Sequence, residues 1–151
     1  MTYKPGAENL ISVDSVLKNK KIGVLCGGIS SEREISLQSG KAIFNALKKL
    51  GLKAVLIDVN RNVAQKIAKE KIDIAYITLH GKMGEDGTIQ GMLEIMGIPY
   101  TGCGVFSSSA SMDKIISKKI FEYAKIPTAK WFVVEKFKPL PEKINYPVVV
   151  K

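Results

Sequence analysis

A glycine turn followed by acidic residues marks the first place where the sequence can support chemistry. Gly27 and Gly28 follow an apolar run, and Glu32 and Glu34 come next, at the start of a predicted helix. A helix N-terminus suits phosphate, but carboxylates placed there repel an anion and attract an ammonium group. The segment is not G-x-G-x-x-G, so it favours an amino-bearing ligand over a nucleotide. A purely structural role, with both carboxylates complementing the helix dipole, stays open.

The single histidine of the chain marks a second place, again at the end of an apolar run. His80 is followed by Gly81, and residues 80–91 read HGKMGEDGTIQG. A glycine beside a polar side chain permits close approach of a ligand, and the repeated glycines predict a tightly shaped loop. The open alternative is a structural histidine, with Glu85 and Asp86 capping the helix that follows.

Two lysines stand where an anion would suit them. Lys114 lies at a predicted helix start, where the dipole disfavours a cation, so a bound anion would account for it. An ordinary surface lysine is the alternative there. Lys151 follows the apolar run Val148–Val150, and a lysine at the end of a buried strand can neutralise a phosphate.

Short apolar runs alternate with amphipathic stretches, which predicts a parallel α/β fold with helices flanking the sheet. The predicted strands are residues 21–26, 54–59, 72–79 and 98–101. The predicted helices are residues 31–50, 63–69, 88–96 and 113–124. Both candidate loops follow strands in this arrangement, and ligands of open α/β sheets bind at the carboxyl ends of the strands.

The first helix carries its own end signals. Ser31 and Glu34 have the spacing of a capping box, and Gly51 stands where a left-handed cap is expected. Apolar and small residues recur at helical spacing and predict one packed face. This face consists of Ile35, Ser39, Ala42, Ile43, Ala46, Leu47 and Leu50.

The composition changes after Pro127, which predicts three parts of the chain. Residues 1–20 are an extension, and residues 21–127 form the α/β domain. Residues 128–151 are a linker and the start of a second domain, with 130–134 as an edge strand or the start of a new sheet and 146–151 as a further strand.

Composition limits the function classes. The net charge of +9 comes from scattered lysines without an aromatic platform, which favours solvated surface lysines over a nucleic-acid surface. No apolar run has membrane-spanning length and no secretory signal is evident, so the sequence predicts a cytoplasmic protein without membrane contact. Cys26 and Cys103 are far apart and are expected to stay reduced.

Four segments, in their order and spacing, resemble the D-alanine–D-alanine ligase family. They are GGISSEREISLQSG at 27–40, HGKMGEDGTIQGMLEIMGIPYTGCG at 80–104, SMDKIISK at 111–118 and PVVVK at 147–151. The second is the most specific, and the resemblance covers nearly all of residues 21–151.

The resemblance implies a Rossmann-like domain in front of an ATP-grasp domain that uses ATP and Mg²⁺ to join two D-alanines for peptidoglycan, through an acylphosphate. It implies that Glu32 holds the ammonium of the first D-alanine, that Ile35 and His80 also contact this substrate, and that Lys114 and Lys151 contact ATP phosphates. It also implies a homodimer, with metal ligands in sequence beyond Lys151.

On the same resemblance, this chain alone is expected not to catalyse ligation. The alternatives are a D-alanine–D-lactate ligase or another ATP-grasp ligase, and a non-catalytic domain that binds D-alanine or a partner chain. A nucleic-acid-binding module rests on net charge alone.

Overall fold

The chain forms a parallel sheet with helices between its strands. The computed structural model describes residues 16–136, 139, 144 and 147–150. Its three strands are β1 (Lys21–Gly27), β2 (Lys53–Val59) and β3 (Ile74–Ile77), and their spatial order is β2-β1-β3. Both pairings are parallel. The central strand β1 is buried along nearly its whole length, as an apolar strand covered on both faces should be.

Five helices belong to the described residues. They are α1 (Arg33–Lys49), α2 (Val63–Glu70), α3 (Thr88–Ile95), α4 (Val105–Met112) and α5 (Lys114–Tyr123). Four of these correspond to predicted helices, but α4 was not predicted, since it lies between the predicted strand 98–101 and the predicted helix 113–124. Its serine-rich sequence hides it, because serine side chains compete for backbone hydrogen bonds and are weak helix formers.

The predicted fourth strand is reduced to a single bridge beside β3. Ala75 pairs with Tyr100 in the parallel sense. The Ala75 N–H donates to the Pro99 carbonyl at 2.9 Å, and the Thr101 N–H donates to the Ala75 carbonyl at 3.0 Å. This segment therefore extends the sheet order beyond β3 without forming a full strand.

Apolar side chains from the strands and from α2 and α3 build one core. Leu25, Ile67, Ile89 and Leu93 are among its fully buried members. Both cysteines are free, Cys26 buried and Cys103 exposed. Burial, followed by the nearby charge of Asp58, raises the pKa of the Cys26 thiol, so Cys26 serves as a packing residue.

Helix α1 packs through a face that matches the predicted one only in part. Ser36 and Gly40 are its buried residues, whereas Ile35 is 55% exposed and Leu50 is 72% exposed. Gly40 lies against the Cys26 side chain, where a Cβ would collide with it. Small residues bring the helix close to β1, and apolar spacing alone cannot reveal such a contact.

The predicted capping box of α1 is also wrong. The N-cap residue is Glu32, and no side chain caps the helix. Ser30 Oγ instead accepts the Glu32 N–H at 3.1 Å. The predicted left-handed residue at the other end is confirmed, since Gly51 has a φ of +74°.

The contacts divide the chain into two compact units, one ending at Asp113 and one beginning at Lys114. In the second unit, α5 confirms the predicted helix, and none of its described residues is fully buried. Residues 130–134 form no strand, contrary to prediction, because a strand needs a neighbour to bond its backbone. The strand predicted at 146–151 lies in part outside the described residues, and its described residues 147–150 are not in a strand. The functional domain boundaries stay a prediction.

Among the described residues, no helix has both the length and the apolar character required to cross a membrane.

Candidate functional site

Two loops meet at the carboxyl edge of the sheet. The first loop, residues 27–32, follows β1, and the second loop, residues 80–87, follows β3. Because β1 and β3 are parallel neighbours, both loops leave the same edge. The sequence predicted each loop as a candidate site, and the structure brings the two together.

Glycines bend the first loop onto the start of α1. Gly27 and Gly28 have φ values of +78° and +83°, a region that favours glycine. The loop then presents Glu32, whose side chain is exposed and makes no capping hydrogen bond. The Glu32 carboxylate therefore remains available for a ligand, and at the start of the helix it also complements the helix dipole.

An ion pair fastens this loop to the end of β2. Arg33 Nη1 donates to Asp58 Oδ1 and Arg33 Nη2 donates to Asp58 Oδ2, each at 2.7 Å. Arg33 Nη1 also donates to the Gly28 carbonyl at 3.2 Å. One planar guanidinium thus joins the end of β2, the first loop and the first turn of α1. Neither Arg33 nor Asp58 was predicted as a site residue, and their ion pair was not predicted.

The pair also argues against a dinucleotide at this edge. In dinucleotide-binding folds an acidic residue after the second strand accepts the ribose hydroxyls. Here Asp58 lies at the end of β2, but both of its carboxylate oxygens accept bonds from Arg33. The crevice above β1 and β2 is therefore occupied by the protein's own guanidinium.

We expect the stability of the protein to depend on Asp58 in acid. Hydrogen bonds from Arg33 hold the pKa of Asp58 below its ordinary value of 3.8. A carboxyl whose folded pKa is lowered stabilises the fold above its unfolded pKa, and this contribution disappears as the pH falls through the folded value. The effect should be small, because the Arg33 and Asp58 side chains are 41% and 46% exposed.

The measurement is the free energy of urea unfolding at about pH 6 and about pH 3, for the wild-type chain and Asp58→Asn. The wild type should lose more stability between these two values than the variant. Equal losses would contradict the assignment of this acid dependence to Asp58.

The second loop is held in shape by its own carboxylates and amide. Glu85 Oε2 accepts the Gly81 N–H at 2.7 Å, and Asp86 Oδ2 accepts the Met83 N–H at 2.9 Å. The buried Gln90 Nε2 donates to the Gly84 carbonyl at 2.8 Å. Asp86 also accepts the Thr88 N–H at 3.0 Å, so the predicted bond to the helix start is present beside the loop contacts. The loop backbone is therefore largely satisfied internally.

The two loops touch at Glu32 and Gly81. A Cβ at position 81 would lie 3.0 Å from Glu32 Oε2 and 3.2 Å from Ser30 Cβ, and Gly81 has a φ of +64°. Only glycine fits such a position without displacing the Glu32 carboxylate. The contact places a carboxylate directly beside the backbone that carries His80.

His80 contributes an unsatisfied nitrogen to this region. Its side chain is 35% exposed, and Nδ1 lies 3.9 Å from Glu85 Oε1. Within the part of the chain that the structure describes, the buried Nε2 atom has no hydrogen-bond partner. Buried polar atoms normally have partners, so an unpartnered one in a loop at a ligand-binding edge calls for an explanation.

A carboxylate and an imidazole nitrogen on adjoining loops can bind the two ends of an amino acid. Glu32 suits an ammonium group, and His80 suits a carboxylate oxygen through a ring N–H. Charge-assisted bonds of this kind are the stronger ones in proteins. The geometry thus favours a small zwitterionic ligand at the carboxyl edge.

The remaining predicted site residues are Ile35, Lys114 and Lys151. Ile35 is exposed on the first turn of α1. Lys114 is the exposed first residue of α5 and belongs to the second compact unit. Lys151 lies outside the described residues. In the described ranges, no three His, Cys, Asp or Glu side chains are grouped to hold a metal ion.

The sequence matches known proteins over much of its length. Residues 58–103 match the family described as "D-ala D-ala ligase N-terminus". The chain is 51% identical over 138 residues to a D-alanine–D-alanine ligase of Geobacter sulfurreducens, covering 89% of this chain and 44% of that protein. It is 60% identical over 111 residues to one of Carboxydothermus hydrogenoformans, covering 74% of this chain and 36% of that protein.

A solved structure agrees with these matches. The D-alanine–D-alanine ligase of Bacillus anthracis complexed with ATP superposes with a TM-score of 0.72 at 42% identity, covering 82% of this chain and 42% of that one. The chain therefore spans less than half the length of the relatives it matches.

Proposed function

This chain belongs to the D-alanine–D-alanine ligase family, and we propose that it forms the N-terminal part of a ligase that joins two D-alanines at the expense of ATP. The observation that carries the proposal is the close approach of the Glu32 carboxylate to Gly81, the residue after His80, whose Nε2 has no hydrogen-bond partner among the described residues. These groups fit the ammonium and the carboxylate of one amino acid.

In this proposal, the first D-alanine binds at the carboxyl edge of the sheet. Glu32 accepts hydrogen bonds from its ammonium group, which keeps that amine charged and unable to act as the nucleophile. His80 donates through Nε2 to a carboxylate oxygen, which orients the carboxylate for phosphorylation. Ile35, exposed on the first turn of α1, contacts the same substrate.

The reaction then has two steps. The carboxylate of the first D-alanine takes the terminal phosphoryl group of ATP, and ADP leaves. The uncharged amine of the second D-alanine attacks the resulting acylphosphate, the amine loses a proton and inorganic phosphate leaves with the bond electrons. Bound Mg²⁺ would neutralise phosphate charge during the transfer.

Lys114 and Lys151 are proposed to contact the ATP phosphates. Lys114 is exposed at the first position of α5, in the segment SMDKIISK that matches the ligase family. In line with the family resemblance, the Mg²⁺ ligands are proposed to lie in a further part of the protein. A cytoplasmic homodimer that serves peptidoglycan synthesis completes the proposal.

The test is product formation by the complete polypeptide that contains this sequence. With ATP, Mg²⁺ and D-alanine, the protein should release ADP and form D-alanyl-D-alanine, identified by mass spectrometry, whereas L-alanine should give no dipeptide. Preferred formation of a D-alanine–D-lactate ester in a mixture of both second substrates would change the proposed specificity. Binding of D-alanine without ADP release would overturn the proposed catalysis.

A further inference from the structure

The ion pair between Arg33 and Asp58 has a role beyond holding a loop. We propose that Arg33 and Asp58 are positioning residues that aim the Glu32 carboxylate at the second loop, an inference that rests on the proposed function for its consequence in substrate binding. Neither side chain contacts the substrate in this proposal. They act through Glu32, the neighbour of Arg33 in the chain.

The guanidinium fixes both sides of Glu32. On the helix side, Arg33 is the first residue of α1 and its two nitrogens bond both Asp58 oxygens at 2.7 Å. On the loop side, the same Nη1 bonds the Gly28 carbonyl at 3.2 Å. Glu32 lies between these two anchor points, and its own N–H is held by Ser30 Oγ at 3.1 Å. The backbone that carries the carboxylate therefore has little freedom.

The close packing around the Arg33–Asp58 ion pair indicates that the side chains of the pair have little room to move. A Cβ at Gly27 would collide with Asp58 Oδ1 and would lie 2.5 Å from Arg33 Nη1, so this position has room only for glycine. At the second loop, a Cβ at Gly81 would lie 3.0 Å from Glu32 Oε2, so the carboxylate lies close to the Gly81 backbone. The ion pair and the second loop are thus linked through the first loop by closely fitting contacts.

The exposure of the pair argues against a role that is mainly global stability. Both side chains are more than two-fifths exposed, and exposed ion pairs stabilise proteins little. Two-point bonding of a carboxylate by a guanidinium does fix geometry, which a lysine cannot reproduce with its single ammonium group. What the pair supplies is orientation.

The structure offers a matched control ion pair. Lys21 Nζ and Glu70 Oε2 lie 2.8 Å apart, each side chain 36% exposed. This pair joins the first residue of β1 to the last residue of α2, at the amino edge of the sheet. Glu70→Gln removes a similar ion pair far from the two loops.

The first experiment uses nuclear magnetic resonance of the 151-residue chain, with the Gly81 amide and the ring of its single histidine, His80, as reporters. Arg33→Lys and Asp58→Asn should shift both signals by more than a linewidth, and Glu70→Gln should shift neither. In a Glu32→Ala background, Arg33→Lys should no longer shift them, because the connecting side chain is gone. Unchanged signals in both Arg33→Lys and Asp58→Asn, or shifts that persist in the Glu32→Ala background, would overturn the proposal.

The second experiment measures steady-state kinetics of the complete polypeptide. Arg33→Lys should raise the KM for D-alanine by about 10- to 100-fold, as expected for a misplaced binding group, and leave the KM for ATP unchanged. Equal effects on both substrates would contradict positioning. If the polypeptide makes no dipeptide while the Gly81 and His80 signals respond as expected, the proposed function fails and the positioning stands.

Discussion

Glu32→Gln should lower kcat/KM for D-alanine by about 100-fold in the complete polypeptide, with little change in the KM for ATP. The substitution keeps the size of the side chain and removes its charge. The ammonium of the bound amino acid would then face a neutral amide next to Gly81, without a compensating carboxylate. Losing a hydrogen bond to a charged group costs about 1.5–3 kcal/mol, which accounts for the size of the loss.

Glu34→Gln is the matched control for this prediction. Glu34 is also exposed and acidic and lies in the first turn of α1, only two residues away. If the effect came only from negative charge near the start of the helix, Glu32→Gln and Glu34→Gln would lower kcat/KM for D-alanine by similar factors. Steady-state kinetics with each substrate varied in turn separates the cases, and equal activity of the two variants would remove Glu32 from the site.

Gly40→Ala should destabilise the chain by about 2 kcal/mol. The new Cβ would collide with Cys26 Cβ and lie 3.1 Å from Thr78 Oγ1 and 3.2 Å from Cys26 Sγ. Cys26 is on the central strand β1 and fully buried, so it cannot move aside. The helix would have to lift from the sheet, and the gain in helix propensity from alanine offsets only part of that cost.

Gly91→Ala makes the same chemical change in another helix and provides the control. At Gly91, in α3, the new Cβ would meet only Val105 Cγ2, at an ordinary 3.8 Å. This variant should be stabilised by about 0.5–1 kcal/mol through helix propensity. The measurement is urea unfolding of both variants, and a Gly40→Ala protein as stable as the wild type would contradict the close packing of α1 on β1.

The sheet was predictable from the sequence because its signals are local and redundant. The run from Lys21 to Cys26 is uniformly apolar after its first residue, as a strand covered on both faces requires. Gly51 ends α1 in the left-handed conformation that its position predicted. Each of these features depends on a few neighbouring residues.

The packing of α1 depended on contacts that leave no periodic signal. Ile35 and Leu50 match a helical apolar face, yet both are exposed, while Ser36 and Gly40 make the closest contact with the sheet. The Ser36 hydroxyl donates to the Thr78 carbonyl at 2.8 Å, a bond to a residue 42 positions away. Hydrophobic periodicity cannot reveal a face selected by small size and a tertiary hydrogen bond.

The candidate site was predictable in its parts and not in its arrangement. Glu32 and His80 stood out individually, because each follows a predicted strand within a glycine-rich segment. Their meeting at Gly81 depends on the position of β3 beside β1, which a single sequence does not specify. The sequence indicates the pair of Arg33 and Asp58 only weakly. Its one local sign is that Asp58 is an acid at the end of the second strand and Arg33 is a base at the start of the helix before that strand.

The most direct test of the proposed site is a crystal structure of the complete polypeptide with D-alanine and ATP bound. The amino nitrogen of the first D-alanine should lie about 2.7–3.2 Å from a Glu32 carboxylate oxygen, with His80 Nε2 at a similar distance from its carboxylate. A D-alanine whose ammonium is bound by other residues, more than about 5 Å from Glu32, would contradict the assignment of this carboxyl edge as the amino-acid site.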